Sequence, residues 1–346
     1  MTANLDQILN GPELSRTAAY RAIVSSLDSP ALIACSGGVD SSALVILVAA
    51  AWRKGRIGPC AVVHVDHQSR PDSALDAIRV GELCRACQLP FIPAAIEPLE
   101  SVSGRSTEDV WRERRYEVLA RISRRLGVRN VVTAHTLDDQ VETILMRLLS
   151  GSTRLVMHES TDMTVTEARI RVVRPLLDVP RAEMLRVLSI AGIEPILDPS
   201  NADTSFRRNA VRHEIVPAIA SVFPGYERAL LRSVTLREQD ADYLNEAAAS
   251  AFQELAVRER NGSLHLPRNL CKRVHLAVAL RVLRLAAQDL IQEPDDRELT
   301  FERIHALYGA LEGRTGSIIQ LPYGIRVSVE SQALLFFRAE EGNEDG

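Results

Sequence analysis

The chain has 346 residues, 46% hydrophobic and 25% charged, with a net charge of −4 at pH 7. That is enough chain for two or three domains of ordinary globular composition, and it excludes a disordered polymer, a collagen-like repeat and a disulfide-built scaffold. No run of about 18 apolar residues is free of charge, so no membrane span is expected, and the opening MTANLDQILNGPELSR lacks the basic-then-apolar order of a secretory leader.

In chain order, apolar runs alternate with helical patterns through the first half. Ala31–Cys35, Cys60–Val65, Phe91–Ile96 and Val131–Ala134 read as strands. Between them, Ser41–Lys54, Ser73–Gln88, Thr107–Leu126 and Leu137–Leu149 read as helices. This alternation predicts an α/β fold, a parallel sheet flanked by helices, with ligands bound outside the carboxyl ends of the strands. Ala168–Val173 alternates as one more strand, and the stretch holding Pro175, Pro180, Pro195 and Pro199 reads as a linking region. A catalytic domain is therefore expected over 1–215, a helical linker over 216–262 and a small α+β domain over 263–346. The linker holds a long helix from Tyr226, and the last domain holds a helix at Val274–Ile291 and strands at Ser317–Leu321, Ile325–Val329 and Ala333–Phe337.

The cysteines, Cys35, Cys60, Cys84, Cys87 and Cys271, are few and odd in number, as expected of reduced thiols in the cytoplasm. Cys84 and Cys87 form one C-x-x-C without a second pair, and they fall on a helical pattern, so core packing is favoured over metal or redox chemistry. Lysine occurs only at Lys54 and Lys272. The other basic residues are arginines, crowded at 105–129 and again at Arg207, Arg208 and Arg212, and arginine is the better fork for phosphate.

The segment after the first strand is Ser36-Gly37-Gly38-Val39-Asp40-Ser41-Ser42. A strand, two glycines and a helix start put backbone N–H groups at a helix N-terminus, which is an anion site. The glycines let the backbone approach phosphate oxygens, and the serines add hydroxyl donors. Asp40 makes sense beside phosphate when Mg²⁺ bridges the two. Neither a Walker A loop nor G-x-G-x-x-G is present. A merely capped helix start is the plainer alternative. His67 and His135 also follow strands, and Asp138, Asp139 and Glu142 open the helix after the fourth.

Ser36-Gly37-Gly38-Val39-Asp40-Ser41 resembles the SGGxDS loop of the PP-loop ATP pyrophosphatases, which cleave ATP between its α and β phosphates and adenylate a substrate oxygen. Further matches come in order. They are Val65-Asp66-His67, Arg70-Pro71-Asp72-Ser73, Thr107-Glu108-Asp109 with Arg112 and Arg115-Tyr116, Ala134-His135 to Thr143, Arg174-Pro175-Leu176-Leu177, Asp198-Pro199-Ser200-Asn201, and Phe206 to Arg212. Together these resemble the tRNA(Ile)-lysidine synthetase family, from about residue 30 to 215, with a looser likeness in the tail. Larger members of that family carry a further C-terminal domain, which this chain is expected to lack.

The resemblance implies a Rossmann-like N-type ATP pyrophosphatase fold. It also implies ATP-dependent ligation of L-lysine to C2 of cytidine 34 in the CAU anticodon of an isoleucine tRNA, through an adenylated intermediate, so that the codon read changes from AUG to AUA. Residue by residue, Ser36, Gly37, Gly38, Val39, Asp40 and Ser41 would bind ATP and hold pyrophosphate. Asp40 and Asp139 would hold Mg²⁺, with Asp138 second to Asp139. Asp40, Arg115, Asp139 and Glu142 would carry the catalysis, Glu142 taking the lysine ammonium. Arg112, His135, Arg207, Arg208 and Asn209 would contact the tRNA or its base. ATP and Mg²⁺ are implied, no organic prosthetic group is, and the family suggests a homodimer. With aromatics at 4%, arginine-to-phosphate contacts should dominate RNA binding over stacking. Two alternatives stay open. One is a tRNA thiolase, in which a lysine usually stands where Val39 stands here. The other is a non-catalytic module that senses ATP.

Overall fold

The computed structural model describes residues 2–68, 73–96, 107–152, 155–196, 203–291 and 298–338. The motif residues Arg70-Pro71-Asp72 and Asp198-Pro199-Ser200-Asn201 lie outside the described residues. The chain divides into two compact units, Met1–Leu231 and Arg232–Gly346.

In the first unit, helices α1 (Thr2–Asn10), α2 (Pro12–Ser15) and α3 (Ala18–Ser26) precede strand β1 (Ala31–Ala34). Then follow α4 (Val39–Arg53), β2 (Cys60–Asp66), α5 (Ser73–Cys87), β3 (Phe91–Ala95), α6 (Thr107–Leu126), β4 (Asn130–Val132), α7 (Leu137–Leu149), β5 (Ser160–Val165), β6 (Ala168–Val173) and α8 (Arg181–Ala191). The six strands form one sheet in the order β3-β2-β1-β4-β6-β5, parallel except for β5, which runs antiparallel to β6. Chain order reverses between β1 and β4, and such a switch point opens a crevice at the carboxyl ends of the two strands.

α4 is apolar on every side and buried from Ser41 to Ala51. A helix of that pattern has to be enclosed. One face of the sheet gives it α1, α3, α5 and α8 as neighbours, in a core that includes Leu9, Ile23, Leu44, Leu47, Cys84, Met184 and Leu188. On the other face, Tyr116, Leu119 and Ala120 of α6 pack on Leu32, Val63 and Val131.

The stretch expected to be a proline-rich link carries α8 instead. Pro180 occupies the N-cap with φ −63°, an angle its ring favours, and Gly192 ends the helix at φ +64°. Between them Met184, Val187, Leu188 and Ala191 recur at helical spacing and are buried. β5 was not foreseen either: its sequence, Ser-Thr-Asp-Met-Thr-Val, offers little apolar alternation, as suits an edge strand.

After α8 come α9 (Arg207–Ala210), a π-helical turn at Val211–Ile215, α10 (Val216–Val222) and the long α11 (Tyr226–Leu255). Pro217 has no N–H to give the preceding turn, and the widened turn accommodates that loss.

The second unit comprises β7 (Val257–Arg258), β8 (Leu264–Pro267), α12 (Leu270–Arg273), α13 (Leu276–Asp289), α14 (Phe301–Ala310), β9 (Ile318–Gln320), β10 (Ile325–Val329) and β11 (Ala333–Arg338). Its five strands are all antiparallel, in the order β7-β8-β11-β10-β9. They share a core with Ala248, Ala251 and Leu255 of α11 and with the inner faces of α13 and α14.

Candidate functional site

A pocket of about 450 Å³ opens at the switch point of the first unit. The loop after β1 supplies Ser36, Gly38, Val39, Asp40 and Ser41. The end of β2 supplies His67, and α6 supplies Arg115 and Tyr116. The end of β4 and the start of α7 supply Thr133, His135 and Asp139, while Arg181, Ile196, Arg212 and His213 complete the wall. The volume is ordinary for a small-molecule site.

The loop is braced from within. Ser41 Oγ accepts from the Ser36 N–H at 3.2 Å, and Ser42 Oγ donates to the Gly37 carbonyl at 2.9 Å. Gly37 has φ +89°, and a Cβ there would lie 2.4 Å from Ile196 Cδ1. Gly38 is the N-cap of α4 with φ −67°, and a Cβ there would meet only Ser36 Oγ, at 3.6 Å. So the fold itself requires only the first glycine.

Asp40 sits one residue into α4. One of its oxygens, Oδ2, lies 3.3 Å from the Arg181 guanidinium; the other, Oδ1, is buried without a hydrogen-bond partner. Burial pushes its carboxyl up to about 6, with Arg181 pulling down and Asp139 pushing further up.

The start of α7 is in the opposite condition. Asp139 Oδ2 accepts the Thr136 N–H at 2.9 Å, closing a capping box, and Oδ1 accepts Arg208 and Arg212 at 3.1 and 3.0 Å. Glu142, 2% exposed, is gripped by the same two guanidiniums, Arg208 at 3.0 Å and Arg212 at 2.6 Å. Burial works to raise the Asp139 carboxyl, but Arg208, the Thr136 N–H and Arg212 together hold it below the usual carboxylate range. Asp138 faces elsewhere: its Oδ2 accepts the Arg181 N–H at 2.8 Å and so caps α8.

Both histidines are neutral. Burial pushes His135 down to about 3 and His67 to about 4, in each case with arginine charge adding to it. His135 Nδ1 shares a 2.9 Å hydrogen bond with Thr133 Oγ1. The His67 ring packs against Trp111 at a tilt of 49° with centroids 5.9 Å apart, and its Nδ1 is buried without a partner.

Of the expected site residues, the loop, Asp40, Arg115, His135 and Asp139 line one pocket, with Arg208 and Glu142 tied to Asp139 beside it. Arg112 stands over the Tyr116 ring at 5.4 Å rather than in the wall. Arg207 is exposed, and Asn209 Nδ2 donates to the Asp203 carbonyl at 2.9 Å. Arg181, Arg212 and His213 were not foreseen as wall residues; the signal for Arg212 was its i,i+4 spacing from Arg208. Cys84 and Cys87 are fully buried in the α4–α5 core.

As to a metal, the buried unpaired oxygen of Asp40 suits a cation, and Asp139 faces the same pocket. Among the described residues no group of three or more His, Cys, Asp or Glu gathers. An ion held here would take most of its oxygens from phosphate and water, the usual habit of Mg²⁺.

The PP-loop domain family matches residues 13–219. A tRNA(Ile)-lysidine synthase from Deinococcus deserti is 39% identical over 232 residues, 66% of this chain and 41% of that protein. One from Thermus thermophilus is 37% identical over 221 residues, again 41% of its length. The chain thus spans about two fifths of the length of these curated relatives. A tRNA(Ile)-lysidine synthase from Salinispora arenicola is 34% identical over 317 residues, 90% of this chain and 92% of that one. Among solved structures, a U34-tRNA thiolase from Methanococcus maripaludis with its 4Fe-4S cluster superposes with TM-score 0.52 at 14% identity, over 64% of this chain and 78% of that chain, a likeness of fold.

Proposed function

The chain belongs to the tRNA(Ile)-lysidine synthase family of PP-loop proteins, and from that premise we propose that it ligates L-lysine to C2 of cytidine 34 in a CAU anticodon, consuming ATP. The observation that carries the reading is the convergence on one pocket of a phosphate-type loop, two acidic residues from different strand ends and Arg115.

The reaction takes two displacements. The C2 oxygen of the cytosine attacks the α-phosphorus of ATP, and pyrophosphate leaves. The lysine ε-nitrogen then attacks C2, and the C2–O bond breaks with that oxygen departing in AMP. The loop N–H groups and the Ser36 hydroxyl would donate to the departing pyrophosphate; the Ser41 hydroxyl, 3.2 Å from the Gly38 carbonyl, would have to turn from it to do the same. Gly38 lets its backbone come within reach of phosphate oxygens. Asp40 and Asp139 would hold Mg²⁺, whose charge neutralises the phosphates when bound. Arg115 would meet the α-phosphate or the base, and neutral His135 can accept or donate a hydrogen bond to the base without adding charge. Glu142 would receive the lysine ammonium; since both its oxygens are engaged by arginine, that requires Arg208 or Arg212 to yield. Arg112, Arg207 and Asn209 remain for the anticodon backbone, which predicts strongly salt-dependent binding. A thiolase reading would need reactive thiols, and burial raises Cys35 to about 11 and Cys87 to about 12.

The test is transfer of labelled L-lysine to an isoleucine tRNA transcript with ATP and Mg²⁺, run beside Asp40→Ala and beside a transcript with cytidine 34 replaced. Incorporation that needs both cytidine 34 and Asp40 is expected. Pyrophosphate release without lysine incorporation would keep adenylation and discard the lysine nucleophile.

A further inference from the structure

The loop Ser36 to Ser41 carries no cation of its own, because Val39 and Asp40 fill its centre. A triphosphate nevertheless brings several negative charges to it. We propose that Arg181 supplies the missing charge: its guanidinium exchanges Asp40 for the β- and γ-phosphates of ATP and then retains the pyrophosphate. This rests on the ATP-cleaving reading above and adds a residue to it.

Three observations support the exchange. First, Arg181 lines the pocket facing the loop, a third exposed, with its NH1 3.3 Å from Asp40 Oδ2. That contact is longer than any of the 2.6–3.1 Å contacts that Arg208 and Arg212 make to Asp139 and Glu142. The Arg181 pair is therefore the looser of the two arrangements, and its guanidinium the easier one to redirect. Second, the backbone that carries it is fixed. Asp138 Oδ2 accepts the Arg181 N–H at 2.8 Å, the Leu137 N–H donates to the Val179 carbonyl at 3.0 Å, and Glu183 Oε1 accepts the Ala19 N–H at 2.7 Å. With Met184, Val187 and Leu188 buried behind it, only the side chain has to swing. Third, the exchange leaves no charge unpaired. Asp40 loses Arg181 as a partner at the moment a cation arrives with the phosphates, and Asp40 Oδ1 is already buried without one. A planar guanidinium suits two phosphate oxygens at once, which a lysine in the loop would not offer.

The experiment is calorimetric titration of the full chain, without tRNA, with ATP, AMP and inorganic pyrophosphate in Mg²⁺. Wild type is compared with Arg181→Gln and Arg181→Lys, and each variant's unfolding midpoint is checked against wild type. Arg181→Gln is expected to weaken ATP and pyrophosphate about ten- to a hundredfold and AMP less than about twofold, with Arg181→Lys recovering part of the loss. ATP and AMP weakened alike, or ATP binding unchanged, would overturn the inference and leave Arg181 as a partner of Asp40 only. Wild-type protein that binds neither ATP nor pyrophosphate would overturn the ATP-cleaving reading itself, and this inference with it.

Discussion

Asp40, half-buried in the first turn of α4, and Glu142, buried in the second turn of α7, both belong to helices that follow strands β1 and β4, yet their surroundings are opposite. Glu142 is saturated, each oxygen on an arginine within 3.0 Å. Asp40 has one long contact and one oxygen with nothing to bind. A carboxylate that the fold satisfies contributes to holding the fold together. One that the fold leaves unsatisfied costs stability and is poised for a ligand. The pocket thus has a structural side, whose charges are already paired and which takes a ligand only by displacing an arginine, and a receptive side left open, one on each flank of the switch point.

The largest effect that would break this contrast is on the saturated side. Arg212→Ala strands Glu142 with Arg208 alone, and breaking a buried pair by removing one partner typically costs about 3–5 kcal/mol. Urea unfolding should show the midpoint falling with the slope unchanged. A loss under about 1 kcal/mol would mean that the four-residue cluster is not structural.

Asp40→Asn should act the other way. Turnover is expected to fall by about 10²–10³, the usual scale for losing one aligned electrostatic group. Stability should hold or rise. The native carboxyl titrates near 6, above its unfolded value, so the native state binds more protons between those two values and loses stability as pH rises through that window. Removing the charge recovers about 1–2 kcal/mol at pH 7.5. A destabilised Asp40→Asn would put Asp40 on the structural side with Glu142.

A smaller effect sharpens the receptive side. His67 is neutral in the native state and protonates only near 4, whereas an unfolded histidine does so near its ordinary value. The unfolded chain therefore binds more protons between about 6.5 and 4, and the first unit should lose stability as pH falls through that range. His67→Gln should reduce the stability lost over that range by about 1 kcal/mol. An unchanged slope would assign the acid lability to other groups.

Much of this was legible in the sequence, and the parts that were not share a cause. β1 to β4 announce themselves as apolar runs of the kind parallel strands carry and β6 by its alternation, and the loop at Ser36 to Ser41 and the acidic start of α7 follow β1 and β4. α8 was hidden by its flanking prolines, although Met184, Val187, Leu188 and Ala191 carried the helical period. Arg181 was hidden with it. That two arginines from residues 208 and 212 would close on Asp139 and Glu142, some 70 positions earlier, is a fact of tertiary convergence that no local pattern encodes. Sequence proximity made Arg207, Arg208 and Asn209 look like one group, whereas the helical turn directs Arg208 inward with Arg212 and leaves Arg207 in solvent.

The smallest effects separate two adjacent glycines on the receptive side. Gly37 is needed by the fold. Its φ of +89° strains any L side chain, and a Cβ would press on Ile196 Cδ1. Gly37→Ala should therefore cost about 1–2 kcal/mol of stability, some of the clash being relieved by movement of the Ile196 terminus. Gly38 has an ordinary φ and only Ser36 Oγ near its missing Cβ, so Gly38→Ala should leave stability within about 0.5 kcal/mol. If Gly38 is bare so that the backbone can approach phosphate, Gly38→Ala should still weaken ATP binding measurably in the calorimeter, a loss of affinity without a loss of fold. The reverse result, normal ATP binding with a destabilised chain, would place Gly38 among the structural residues and remove the loop backbone from the phosphate contact.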